Sequence, residues 1–241
     1  MILRGQCILL AACVLLFVAV AASALSQNSR VDADEFTAEL ISLALDPNFG
    51  PAQNRVVKWT GSLRYGIHGK HVDGIARVLI EDQMHTLREL TGLDIAEAEP
   101  ASTSENFSIF FMIASERNAL RSDKSISSTT TFNEWDLKQQ PCAYEISTDH
   151  SSIQQATVYI KAEAITPITL NCIQEYLSRA MGIVNRPSLS DSVFALEHPR
   201  WMMTEKDKLF LRVLYSPKLQ AGVDVEQARR TIKSIYDETA Q

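Results

Sequence analysis

The chain has 241 residues, 46% of them hydrophobic, and a formal net charge of −6 at pH 7. That length buries one substantial core, and no break in composition asks for a second domain. The acid excess, with no basic stripe interleaved with aromatics, argues against nucleic acid or an anionic lipid surface as the main partner.

Residues 1–24 read as a secretion signal. Arg4 supplies a positive start, an apolar run covers residues 7–22, and Ala22, Ser23 and Ala24 form a small-residue cleavage site, with cleavage expected after Ala24. A retained membrane anchor is the rival reading. A span needs about 18–20 apolar residues, and this run is shorter and has no basic stop. A lipidation site at the "LAAC" of residues 10–13 falls too early, ahead of most of the apolar run. The expected location is therefore secreted or periplasmic, with membrane contact only through an uncleaved signal. Loss of the leader removes Arg4, and the net charge of −6 becomes −7.

Four cysteines become two once the leader is gone, Cys142 and Cys172. Oxidising surroundings make an even pair a disulfide candidate, two separate buried thiols being the alternative.

An N-terminal helical segment, residues 25–55, comes next. "VDADEFTAELISLALD" opens with acidic residues and sets Phe36, Leu40, Ile41 and Leu43 near one face, which predicts a helix broken by "DPNFGP". "RVVKWTGSLRYGIHG" at 55–69 reads as extended chain with bends at Gly61 and Gly66. From His71 to Leu90 runs the longest helical pattern, with Ile80, Met84, Leu87 and Leu90 on one side and Gly92 as its left-handed cap. "FSIFFMIA" at 107–114 is a strand expected to be buried on both faces, and a polar passage at 115–140 reads as a long loop. "QATVYIKAE" at 155–163 alternates like a half-exposed edge strand.

Thr166 and Pro167 then cap a helix whose core face is Leu170, Ile173, Leu177, Ala180 and Met181. Another helix opens at Met203-Thr204-Glu205, and residues 223–241 hold an amphipathic C-terminal helix with Val225, Ala228, Ile232 and Ile235 on one side. The fold class is α+β in a single domain, with a mixed sheet and one long helix.

Four blocks arrive in order: "KWTGSLRYGIHG" at 58–69, "PCAYEI" around Cys142, "NCIQEYLSRAMGI" around Cys172 and "MTEKDKLFLRVLYSPKLQAG" at 203–222. Over residues 56–222 they resemble a bacterial secreted family known only as domain of unknown function 2927, whose sequences run from W-x-G-x-L-R to T-x-x-D-x-L-x-L-R-x-L-Y-x-P-x-L-x-x-G. That family in turn resembles the zincins, the fold of the metzincin metallopeptidases, with an eroded active-site helix. Those enzymes set two histidines four apart on one helical face so that both imidazoles reach one zinc, with a glutamate between them and a glycine turn bringing in a third histidine. The resemblance aligns Glu175, Arg179 and, three residues past Gly182, Asn185 with the metal ligands, and Tyr176 with the general base. "DSVF" at 191–194 looks like the Met-turn, with Phe194 in place of methionine.

The vestigial positions imply no metal and no cofactor. A guanidinium stays protonated and only donates hydrogen bonds, so Arg179 is no ligand. Either Arg179 takes the cation's place and pairs with Glu175, or the two form an exposed salt bridge worth a few tenths of a kcal/mol. His68 and His71 straddle a turn without an acidic or cysteine ligand beside them, and read as lone surface histidines. His198 follows the Met-turn-like segment and would lean into the old cleft, or stay in an exposed loop. Trp201, in "RWMM", packs as core or forms an apolar rim for a partner. There is no G-x-S-x-G nucleophile elbow and no phosphate-binding glycine loop. Two expectations follow. The first is a catalytically inactive binding module that holds a peptide or envelope protein through Glu175, Arg179, His198 and Trp201. The second is a hydrolase whose site is rebuilt from Glu175, Tyr176 and His198.

Overall fold

The computed structural model describes residues 32–49, 53–100, 102–122, 141–163, 166–187, 189, 191–195 and 202–239. The expected signal at residues 1–24, His198 and Trp201 lie outside the described residues, as does most of the expected 115–140 loop. The chain divides into two compact units, residues 1–36 and 37–241. In the first, the Asp32 carboxylate accepts from the Asp34 amide at the start of helix α1 (Ala33–Ala44).

Five strands form one mixed sheet: β1 (Leu63–His68), β2 (Ile95–Glu97), β3 (Phe107–Met112), β4 (Cys142–Asp149) and β5 (Ser152–Lys161). Their spatial order is β2-β1-β3-β5-β4, with β4 alone antiparallel to its neighbour. Together with α1, the α-helices among the described residues number six. The other five are α2 (Gly74–Thr91), α3 (Ala114–Ser122), α4 (Pro167–Arg179), α5 (Glu205–Leu214) and α6 (Val225–Thr239). None is long and apolar enough to cross a membrane.

The two long core helices follow from local chemistry. Asp73 accepts from the Ile75 and Ala76 amides at the start of α2, and Gly92 ends it at φ 69°, its amide bonded to the Arg88 carbonyl. The Thr166 hydroxyl accepts from the Thr169 amide, a cap worth about 1 kcal/mol. Pro167 loses nothing at the first helical position, where no intrahelical acceptor exists for an N–H. Behind these helices, Leu63, Phe107, Ile109, Phe111, Val158 and Ile160 bring the sheet into the core with Ile80, Leu87, Ile173 and Leu177.

Three expectations need correction. The 155–163 strand is interior, not an edge, because β4 pairs along its far side from Cys142↔Ile160 to Asp149↔Ser152. Nor is the strand's second face left to solvent, because Tyr159 is buried with Met112 and Ala143 and packs on Phe110 in a small core of its own. The long loop is shortened at its start by α3, whose Arg117 donates back to the Met112 carbonyl at 2.8 Å. β3 is buried at Phe107, Ile109, Phe111 and Met112 but only partly at Ser108 and Phe110, rather than fully on both faces.

The two outer sequence blocks, more than a hundred residues apart, meet at the end of α4. Lys58 Nζ donates to the carbonyls of Leu214 and Leu219 at 2.9 and 2.5 Å. The Trp59 indole donates to the Ala180 carbonyl at 3.0 Å, and the Tyr215 hydroxyl donates to the Met181 carbonyl at 2.8 Å while accepting from the Trp59 amide. Carbonyls that a helix C-terminus leaves without intrahelical partners are thus satisfied by side chains from both ends of the domain.

Candidate functional site

Helix α4 serves each of its sides differently. Ile173 and Leu177 enter the core. Ser178 accepts from Gln83 Nε2 of α2 at 2.9 Å. Cys172 and Tyr176 face β4, the first in a disulfide with Cys142 and the second edge-on to Tyr144 with ring centroids 5.6 Å apart. Glu175 and Arg179, one turn apart, face the chain that returns after the helix. That return requires Gly182: its φ is 105°, and an added Cβ would strike the Val57 carbonyl oxygen.

Arg179 is 1% exposed and spends its guanidinium entirely on the protein. Nε donates to Glu175 Oε1 at 2.7 Å, Nη1 to the carbonyls of Asn185 and Val184 at 2.8 and 3.3 Å, and Nη2 to the Phe194 carbonyl at 3.3 Å. This is a buried ion pair, not the exposed one that helix spacing alone allowed. Asn185 turns its amide nitrogen away, to the Ser42 and Asp46 carbonyls at 2.8 and 2.7 Å. The turn at 191–194 is held in place by Asp207 of α5. That carboxylate accepts from Ser192 Oγ at 2.5 Å, from the Val193 and Thr204 amides at 3.1 and 2.9 Å, and from the Thr204 hydroxyl at 2.9 Å.

A second guanidinium reaches the same carboxylate. Arg186 Nη2 lies 2.5 Å from Glu175 Oε1 and 2.9 Å from the Tyr176 hydroxyl, with its charge 5.3 Å above the Tyr176 ring. Tyr144 donates to the Val184 carbonyl at 3.1 Å. Burial raises the Tyr176 phenol above its usual range, although Arg186 works against the shift, and burial raises Tyr144 likewise. Burial opposes the charge on Arg186, but Glu175 and Tyr176 outweigh it and hold the guanidinium more firmly protonated than usual. The arrangement is a part-exposed cationic corner between α4, β4 and the 183–187 segment.

Glu175, Tyr176, Arg179, Asn185 and the two cysteines are thus brought around one helix. His68 is elsewhere, 2.7 Å from Glu105 and stacked on Phe110 at 4.8 Å, while His71 is exposed. Among the described residues no group of three His, Cys, Asp or Glu side chains is placed to hold a metal ion. Met202, in the "RWMM" group read as core or as an apolar rim, is 70% exposed. It lines a cavity of about 270 Å³ between α2, α4 and α5, which Gln174 enters but Glu175, Arg179 and Arg186 do not. Sequence reading passed over Arg186, Tyr144 and Asp207. Only the first stood beside a residue already singled out, one position after Asn185.

A family model described as protein of unknown function (DUF2927) matches residues 33–234. The chain belongs to that family. No curated protein and no solved structure matches it. In this DUF2927 member, the Trp59 and Tyr215 of the two outer blocks act on one helix end, and the two cysteine blocks are joined by the Cys142–Cys172 bridge.

Proposed function

We propose that this protein is a catalytically silent, zincin-like binding module that holds an extended peptide beside α4. The observation that carries the reading is the buried Arg179. The zincin resemblance implies zinc, and the side chains at the aligned positions do not fit it. Arg179 only donates, Asn185 directs its amide nitrogen to two carbonyls, and Glu175 Oε1 already takes two guanidiniums. The cation that such a scaffold holds is replaced by a covalently tethered one, which ties the helix to the Met-turn-like segment through the Phe194 carbonyl. Glu175 is also buried, with Oε1 held by two guanidiniums, so it is not presented to a substrate as a general base must be, and the binding reading is favoured over the hydrolase.

A peptide is the occupant that the surroundings suit. β4 ends the sheet order, and among the described residues nothing pairs with its outer side. An open edge presents backbone donors and acceptors to an added strand. Tyr144, half-buried on β4, gives that edge an aromatic ring of the kind that interfaces favour. The pattern of residues 1–24 supports an exported protein, so the partner would be a secreted or envelope protein segment.

Elemental analysis after dialysis against excess zinc tests the silent reading. Much less than one zinc per chain is expected, and about one per chain, the stoichiometry of a mononuclear site, would sink it. Calorimetry against pooled extended peptides tests the binding half, with saturable heat expected from the intact chain.

A further inference from the structure

Resting on that binding-module reading, we infer that the site recognises a carboxylate on its peptide, and that Arg186 is the residue that takes it. Glu175 is one carboxylate set against two guanidiniums, so the corner carries a net positive charge. Arg179 is closed off, whereas the Arg186 side chain is 30% exposed. Arg186 uses only Nη2, on Glu175 and Tyr176, and Nε and Nη1 have no partner among the described residues. Those two nitrogens leave three N–H donors of a permanently charged group open to an incoming carboxylate, as charge-assisted hydrogen bonds.

Pre-organisation strengthens the case. The Arg186 guanidinium is held over the Tyr176 ring and anchored to Glu175, so much of the side-chain entropy that an ordinary surface arginine loses on binding is already lost. Charge contrast adds direction. The chain as a whole is acidic, at −6, and repels acidic ligands elsewhere, so a local cationic corner is where such a ligand is drawn. A strand added along β4 passes Tyr144, whose hydroxyl binds the Val184 carbonyl two residues before Arg186. The carboxylate is either an Asp or Glu side chain of the peptide or its C-terminus.

The test uses the whole chain and three matched pools of random decapeptides. One pool is amidated and free of acidic residues, one is amidated and carries a single Asp or Glu, and one lacks acidic residues but has a free C-terminus. Wild-type protein is expected to bind the second or third pool at least about tenfold more tightly than the first, and the tighter pool names the source of the carboxylate. Arg186→Gln is expected to abolish the preference, so that the three pools bind alike. Arg186→Lys keeps the charge but has one nitrogen in place of three, so it should retain part of the preference, and it serves if the glutamine variant does not fold. Equal binding of all three pools by wild type overturns the carboxylate inference and leaves the binding module standing. Binding of no pool overturns both.

Discussion

Arg179 and Phe194 meet face-on and through the backbone: the guanidinium carbon lies 5.9 Å above the ring, and Nη2 donates to the Phe194 carbonyl at 3.3 Å. The contact locks the 191–194 turn onto α4, and its charge is balanced by Glu175. Removing one partner of a buried pair leaves the other uncompensated, at a cost of about 3–5 kcal/mol, whereas replacing both with apolar groups of similar size is often near neutral. Glu175→Ala should therefore be strongly destabilising in urea denaturation. The double variant Glu175→Leu, Arg179→Met should recover most of the loss. A near-neutral Glu175→Ala would show that the carbonyl bonds alone hold Arg179.

Gly182 gives a backbone test. With φ at 105° and the Val57 carbonyl where a Cβ would go, Gly182→Ala combines strain with overlap. A loss of about 1–3 kcal/mol is expected, measured by thermal unfolding, along with weaker Trp59 fluorescence protection as the helix end shifts. An unchanged midpoint would mean that the 181–187 return can be rebuilt without the left-handed residue.

Asp207 and Ser192 are predicted to be coupled. Their bond at 2.5 Å is one of four that the buried carboxylate accepts. Asp207→Ala and Ser192→Ala, alone and together, should show an interaction energy of about 0.5–3 kcal/mol. Strict additivity would place the turn's stability elsewhere.

Stability should rise and then fall with alkaline pH. Burial lowers Lys58 from 10.5 to about 8. Between about pH 8 and 10.5 the unfolded chain binds the extra proton, so stability increases with pH across that window and the gain is lost as pH falls through 8. Burial raises the Tyr215 phenol, so its contribution is complete below pH 10 and lost as pH climbs beyond it. Denaturation midpoints measured from pH 7 to 11 should show the maximum, and Lys58→Met should flatten its rising limb. A rising limb that persists in the variant would assign it to another group.

The Cys142–Cys172 bridge closes a separation of 30 residues. Loop-closure entropy for that length corresponds to about 3–4 kcal/mol. Cys142→Ser with Cys172→Ser should lower the urea midpoint accordingly, with an increase in denatured-state exposure visible in the m-value. Because the bridge joins the edge strand β4 to α4, the variant should also weaken peptide binding.

Much of this architecture was legible from neighbouring residues. The stop of α2 at Gly92, the Thr166–Pro167 start of α4, and the pairing of Glu175 with Arg179 all depend on groups within four positions of one another. β4 was not legible. Its "CAYEIST" mixes apolar and polar residues because its burial fades along the strand, from Cys142 and Ala143 outward to an exposed end, so no period of two stands out. Without β4, β5 looked like the edge, and Tyr144 had no place in the site.

Spacing along a helix dictates that residues four apart share a face, and hence that Glu175 and Arg179 meet. It carries no information on whether that face is covered. Burial of the pair, the arrival of Arg186 from the return after Gly182, and the grip of Asp207 on the 191–194 turn depend on segments brought together by packing of the core. It is the desolvation those segments impose that turns an ordinary surface ion pair into a buried one with a part-exposed guanidinium, Arg186, at its rim.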